Sequence, residues 1–154
     1  MGLRFPRLPK AIFKSPPGFK KPKVKDFKAD MQRLGEEIAE EFKDKVVENI
    51  ETNRFGFSLS QSTIKKKGSS IPLIDSRTLI EAIYRDEAKV SVENSPRTDS
   101  KLTNLQLAIV QEYGTKDKHI PARPVWRNTY KEFKPKAKKR IGDFLGDQKF
   151  KNNE

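Results

Sequence analysis

Seven apolar side chains between residues 26 and 53 recur at steps of three and four: Phe27, Met31, Leu34, Ile38, Phe42, Val46 and Ile50. Only an α-helix stacks such positions on one face, since a turn takes about 3.6 residues. The spacing predicts a helix over 26–53, with Asp26 as its N-cap. Full burial of that stripe would contribute on the order of 10–20 kcal/mol before conformational entropy is counted. Glu36, Glu37, Glu40, Glu41 and Asp44 fall on the other side. With no histidine among them they read as a solvated face rather than a metal site, so no metal is expected. The remaining elements must cover the stripe.

A second stripe closes the chain: Val125, Trp126, Tyr130, Phe133, Ala137, Ile141, Phe144 and Leu145. Pro124 suits the first turn of this helix, and Trp126 is expected to anchor it in the core. Pro135 lies inside the stripe and should kink or end the helix, at a cost of about 3 kcal/mol. Residues 54–74 read as a long loop, with Lys65, Lys66 and Lys67 before Gly68-Ser69-Ser70, and are expected to make contacts between subunits. Asp75 or Ser76 then caps a short helix holding Leu79, Ile80 and Ile83. Lys89–Glu93 alternates through Val90 and Val92 as a strand, Asn94–Ser100 reads as a hairpin connection, and Leu102–Val110 returns as a second strand, with a turn to helix near Ala108 as the alternative, stopped by Gly114. The expected fold class is α+β, with a long N-terminal helix and a C-terminal helix packed on a small antiparallel sheet.

The charge of +12 is unevenly placed. Residues 1–25 hold eight Lys or Arg and no acid, 26–130 hold 17 of each sign, and 131–154 hold eight basic and four acidic side chains. Three segments follow: a basic Pro-rich arm over 1–25, a folded domain over 26–146, and a flexible tail over 147–154. Basic arms suit an acidic partner surface or a nucleic-acid backbone, although solvated tails give the same composition. The arm also carries Leu3, Phe5, Leu8, Ile12, Phe13 and Phe19, more apolar surface than a linker needs. It is expected to dock on another subunit, with Phe5, Phe13 and Phe19 as its contacts.

Several function classes drop out. There is no cysteine, which removes disulfides and thiolate zinc sites. His119 is the sole histidine and lies in a polar loop over 115–124. No glycine-rich phosphate loop is present, and no apolar run approaches the roughly 20 residues of a membrane span. Prolines interrupt the basic N-terminus, so no signal peptide is read there. No catalytic residues and no cofactor are assigned. The composition points to a structural subunit, with a basic DNA-binding accessory protein as the alternative.

Three segments carry a family resemblance. They are Leu59-Ser60-Gln61-Ser62-Thr63-Ile64 with Lys65-Lys66-Lys67-Gly68 and Pro72-Leu73-Ile74-Asp75-Ser76-Arg77-Thr78-Leu79; Ile109-Val110-Gln111-Glu112-Tyr113-Gly114-Thr115; and Ile120-Pro121-Ala122-Arg123-Pro124-Val125-Trp126. In order and spacing this set resembles the tail-completion and virion-morphogenesis family of tailed bacteriophages, which act in the neck and include tail terminators. Asp75-Ser76-Arg77 stands where that family usually has Asp-Thr-Gly. The resemblance covers roughly residues 30–130. It implies a virion protein, assembled in the bacterial cytoplasm, whose copies form a ring, a hexamer, joining tail tube to head connector. Its partners would be other neck, connector and tail-tube proteins, with genome DNA passing through the lumen. Lys65, Lys66, Lys67 and Arg123 are further candidate contact residues, Arg123 through its planar donor fork toward a carboxylate.

Overall fold

The computed structural model of the protein describes residues 24–68, 70, 77–98, 101–117 and 119–151. Its order is α1 (Val24–Glu51), α2 (Gln61–Lys67), α3 (Thr78–Glu81), β1 (Ile83–Asp86), β2 (Lys89–Val92), α4 (Asn104–Tyr113) and α5 (Val125–Lys151). The fold is α+β: among the described residues, two long helices and three short ones surround one two-stranded antiparallel sheet.

α1 follows the apolar stripe and extends it by two residues, which places Asp26 in the first turn instead of at the cap. There the carboxylate faces the positive end of the helix dipole. Burial along the stripe is graded. Val46 and Ile50 are buried and Phe42 is half-buried, as are Phe27, Met31, Leu34 and Ile38. The C-terminal half of α1 therefore enters the core, where each fully buried aliphatic contributes about 1.5–3 kcal/mol. Val46 and Ile50 meet Leu79, Ile80, Ala82, Ile83, Val92, Ala108 and Val125 there, with Trp126 packed at the edge.

α5 runs antiparallel to α1. Phe27 lies 5.8 Å from Phe144 near one end, and Phe42 lies 5.6 Å from Phe133 and 6.3 Å from Trp126 further along. The acids of α1 are more than a solvated face. Arg140 bonds Glu37 at 2.8 Å and also reaches Glu41, Lys136 pairs with Glu41 at 2.8 Å, and Arg85 donates to Glu40 at 2.9 Å. These pairs lace α1 to α5 and to the hairpin. α5 continues through Pro135, which is exposed, and past Gly146 to Lys151. Proline costs a helix one hydrogen bond, and here the flanking turns and the contacts with α1 hold the rod together.

Three middle segments differ from the sequence expectation. Residues 54–74 include a helix, α2: the Ser60 hydroxyl accepts from the Thr63 amide, and Gly68 at φ 68° returns its own amide to Ile64. Ile83 opens β1 rather than ending α3, so the hairpin turns at Glu87-Ala88, between Asp86 and Lys89. Gly35 admits that turn, since a Cβ there would stand 3.1 Å from the Ala88 Cβ. Asn94–Ser100 thus leads from β2 to α4. In place of a strand over 102–110 the chain forms α4 from Asn104, because Thr103 and Gln106 form a reciprocal capping box. Its buried positions are Asn104, Ala108 and Glu112, a step-of-four row without a large aliphatic, while Ile109 is 50% exposed.

Candidate functional site

The second and third segments of the family resemblance meet at the turn from α4 into α5, and Leu59, Ser60 and Thr63 of the first line a recess beside it. Gly114 ends α4 at φ 73° and ψ −175°, a conformation suited to glycine. An added Cβ would lie 2.7 Å from the Ile120 carbonyl oxygen and 2.9 Å from the Ala122 nitrogen. The loop after Gly114 therefore folds directly back over it. The Thr115 amide donates to the Ile120 carbonyl and the Ile120 amide to the Thr115 hydroxyl, both at 3.0 Å.

Arg123 closes this clasp from inside. Its amide donates to the Gln111 carbonyl at 2.6 Å, and its guanidinium donates to Gln111 Oε1 at 2.8 Å and to the Ser58 carbonyl at 3.3 Å. It is 8% exposed, and burial lowers its pKa from the ordinary arginine value. The expected role of Arg123 as an outward fork toward a partner carboxylate is corrected here. The fork is spent on neutral acceptors of its own chain, and it ties the segment before α2 to α4 and to the approach to α5.

Glu112 does the companion work. It is buried at 6% exposure, and its carboxylate accepts from the amides of Trp126 at 3.0 Å and Arg127 at 3.1 Å. The Arg127 guanidinium donates to the same carboxylate at 2.9 Å and to the Glu112 carbonyl at 2.9 Å. A negative charge thus satisfies unpaired amides at the start of α5, where the helix dipole favours it. A buried carboxylate is tolerable because donors surround it.

Beside the clasp lies an open polar recess of about 540 Å³, lined in part by Ser60, Thr63, His119 and Arg123. His119 Nδ1 stands 3.0 Å from Asp117 Oδ2, and both side chains are exposed. Bonds from Thr115 and from the His119 amide hold the Asp117 carboxyl below its usual range. Among the described residues, no group of three acids or histidines is placed to hold a metal ion, and no helix is long and apolar enough to cross a membrane.

Of the other contact candidates, Lys65 and Lys66 are exposed on the last turn of α2, and Lys67 is its final residue. Phe5, Phe13 and Phe19 lie outside the described residues. Gln111 and Glu112 entered the sequence reading only as part of the resemblance, and no role was assigned to either, because the partners they bond lie in other elements. Tyr113 and Tyr130, 65% and 54% exposed, were also passed over. Tyr130 was read only as part of the apolar stripe, although Lys134 stands one helical turn after it, and nothing local marks Tyr113, which meets Arg127 only in the fold. No family model, characterised protein or solved structure matches this chain in comparison.

Proposed function

We propose that this chain is a structural subunit of a phage neck, a tail-terminator or tail-completion protein whose copies close into a ring between tail tube and head connector. The observation that carries the proposal is the clasp. The first segment is distant in sequence from the other two, which lie close together, yet Arg123 of the third bonds Gln111 of the second and the Ser58 carbonyl just before the first, and Glu112 of the second accepts from the Trp126 amide of the third. A motif set with a common structural task is better grounds for a family reading than three separate turns. Arg77 adds to this. It stands at the family's glycine position and has φ 61°, a left-handed conformation that glycine adopts without strain.

The surface suits assembly. Tyr84 on the hairpin, Ile109 and Tyr113 on α4, and Tyr130, Ile141 and Leu145 on α5 are all exposed. Copies joined head to tail through two unlike patches close into a ring when the rotation allows. Such a subunit needs a rigid body and contact faces. The experiment is light scattering on the size-exclusion peak, with negative-stain imaging. A closed ring, six copies by resemblance, is the expected result. A monomer at every concentration that also fails to join purified tails or heads would end the proposal. A monomer that shifts DNA mobility at physiological salt would favour the accessory-protein alternative.

A further inference from the structure

α5 carries its cations on two sides. Lys136 and Arg140 face α1, where Glu37 and Glu41 neutralise them. Arg127, Lys131, Lys134 and Lys138 follow at steps of four, three and four, so they form a second row of about 16 Å along an exposed flank, with Lys134 and Lys138 at the rim of a groove shared with α1 and the hairpin. Lys131, Lys134 and Lys138 are exposed, and the ion pairs of α5 among the described residues use Arg127, Glu132, Lys136 and Arg140 instead. Like charges at these steps repel and weaken a helix, so the row is a cost to the isolated fold.

Two exposed rings accompany the row. The Arg127 guanidinium lies 5.0 Å from the Tyr113 ring centre, and Lys134 Nζ lies 5.7 Å from that of Tyr130. Each ring packs against a cation, and Tyr130 also meets Phe42 edge-on, so the charges facing an incoming polyanion are those of the lysines. Lysine is a compact point charge, suited to phosphate without a fixed geometry, whereas bidentate carboxylate recognition favours arginine. A straight row of such charges matches a stiff polyanion with regularly spaced phosphates. We propose that this exposed flank of α5 binds the phosphate backbone of double-stranded DNA without reading its sequence. The surface is complete within one chain, so DNA binding by the free protein tests it apart from ring formation.

The test is anisotropy of a short labelled duplex titrated with the full chain across a salt series. One variant carries Lys131→Gln, Lys134→Gln and Lys138→Gln. A comparison variant removes the same charge elsewhere, by Lys28→Gln, Lys101→Gln and Lys116→Gln, all exposed. The α5 variant is expected to lose about tenfold or more in affinity and to flatten the log–log salt slope by roughly 3, and the comparison variant to stay within about threefold. Equal losses in both variants, or no loss in the first, overturn the proposal. Lysine-to-arginine replacement at the three α5 positions keeps the charge and should keep binding; loss of binding there would show a structural role instead. Tighter binding of a single strand than of the duplex, or a change in oligomer size with DNA affinity intact, also overturns it.

Discussion

The side-chain amide of Asn49 donates to the hydroxyl of Thr129 over 2.9 Å, joining α1 to α5 across 80 positions of sequence. Both residues are buried, Thr129 completely. Asn49 Oδ1 has no hydrogen-bond partner among the described residues. Thr129→Val keeps the shape but strips the amide of its acceptor, which should cost about 1–3 kcal/mol. Asn49→Leu combined with Thr129→Val removes both partners and should cost less than the Thr129 change alone. Urea unfolding of the two singles and the double measures this coupling, and additive losses would contradict it.

Gly114→Ala should be among the costlier single changes in the chain. The conformation disfavours any Cβ, and the obstruction is backbone at 2.7 Å that no side-chain rotation relieves. The expected loss is about 2–4 kcal/mol, read from thermal or urea unfolding. Gly56→Ala makes a useful comparison, because Gly56 also has positive φ but open space around its Cβ position. A Gly114 variant no worse than the Gly56 variant would show that the loop can lift off α4 freely.

Arg77 bonds Glu51 at 2.6 Å while its backbone takes φ 61°. The exposed ion pair is worth about 0–1 kcal/mol and the left-handed backbone costs about 1–2 kcal/mol. Arg77→Gly should therefore leave stability within about 1 kcal/mol of the parent. Arg77→Ala loses the same ion pair and keeps the strain, so it should be the less stable of the two by about 1 kcal/mol. Matched urea midpoints for both variants would remove the backbone from the explanation.

Glu41 ties the long helices together in a pH-dependent way. Its bond with Lys136 pulls its pKa below the ordinary glutamate value of 4.5, partial burial opposes this, and the charges of Arg140 and Lys136 add to the lowering. A carboxyl depressed in the folded state contributes stability above pH 4.5 and loses it as the pH falls through the folded value. Glu41→Gln should be less stable than the parent near neutral pH, and the gap should narrow as acid protonates the parent's carboxyl. Urea midpoints from about pH 7 to pH 3 follow that gap. A gap of constant size would show that packing, not charge, is what Glu41 supplies.

The long helices were legible because each writes a stripe of large apolar residues at helical spacing, and only one local structure satisfies such a run. Val90 and Val92 likewise announced β2 by alternation. α4 was misread because its buried row is Asn104, Ala108 and Glu112, while Leu105, Leu107 and Ile109 alternate as a strand would. Hydrophobic period reports which residues dislike water, and here tertiary packing buried polar ones that had found partners. Thr103 and Gln106 held the correct signal in their capping spacing. β1 was too short, and too close to the apolar Leu79 and Ile80 of α3, to show a period of its own.

The same division holds at the clasp. Gly114, Pro121 and Pro124 mark the turns through rules that act on neighbouring residues, so one sequence suffices to place them. The duties of Arg123 and Glu112 depend on what approaches from elsewhere. Ser58 lies 65 residues from Arg123 and turns its fork inward, and the start of α5 supplies amides that hold Glu112 in the interior. Charge per segment was readable from the chain. Which cations α1 would neutralise, and which would be left along the exposed flank of α5, was decided only when the two helices packed antiparallel. An ion pair is a matter of distance in space, and the order of residues along the chain does not determine it.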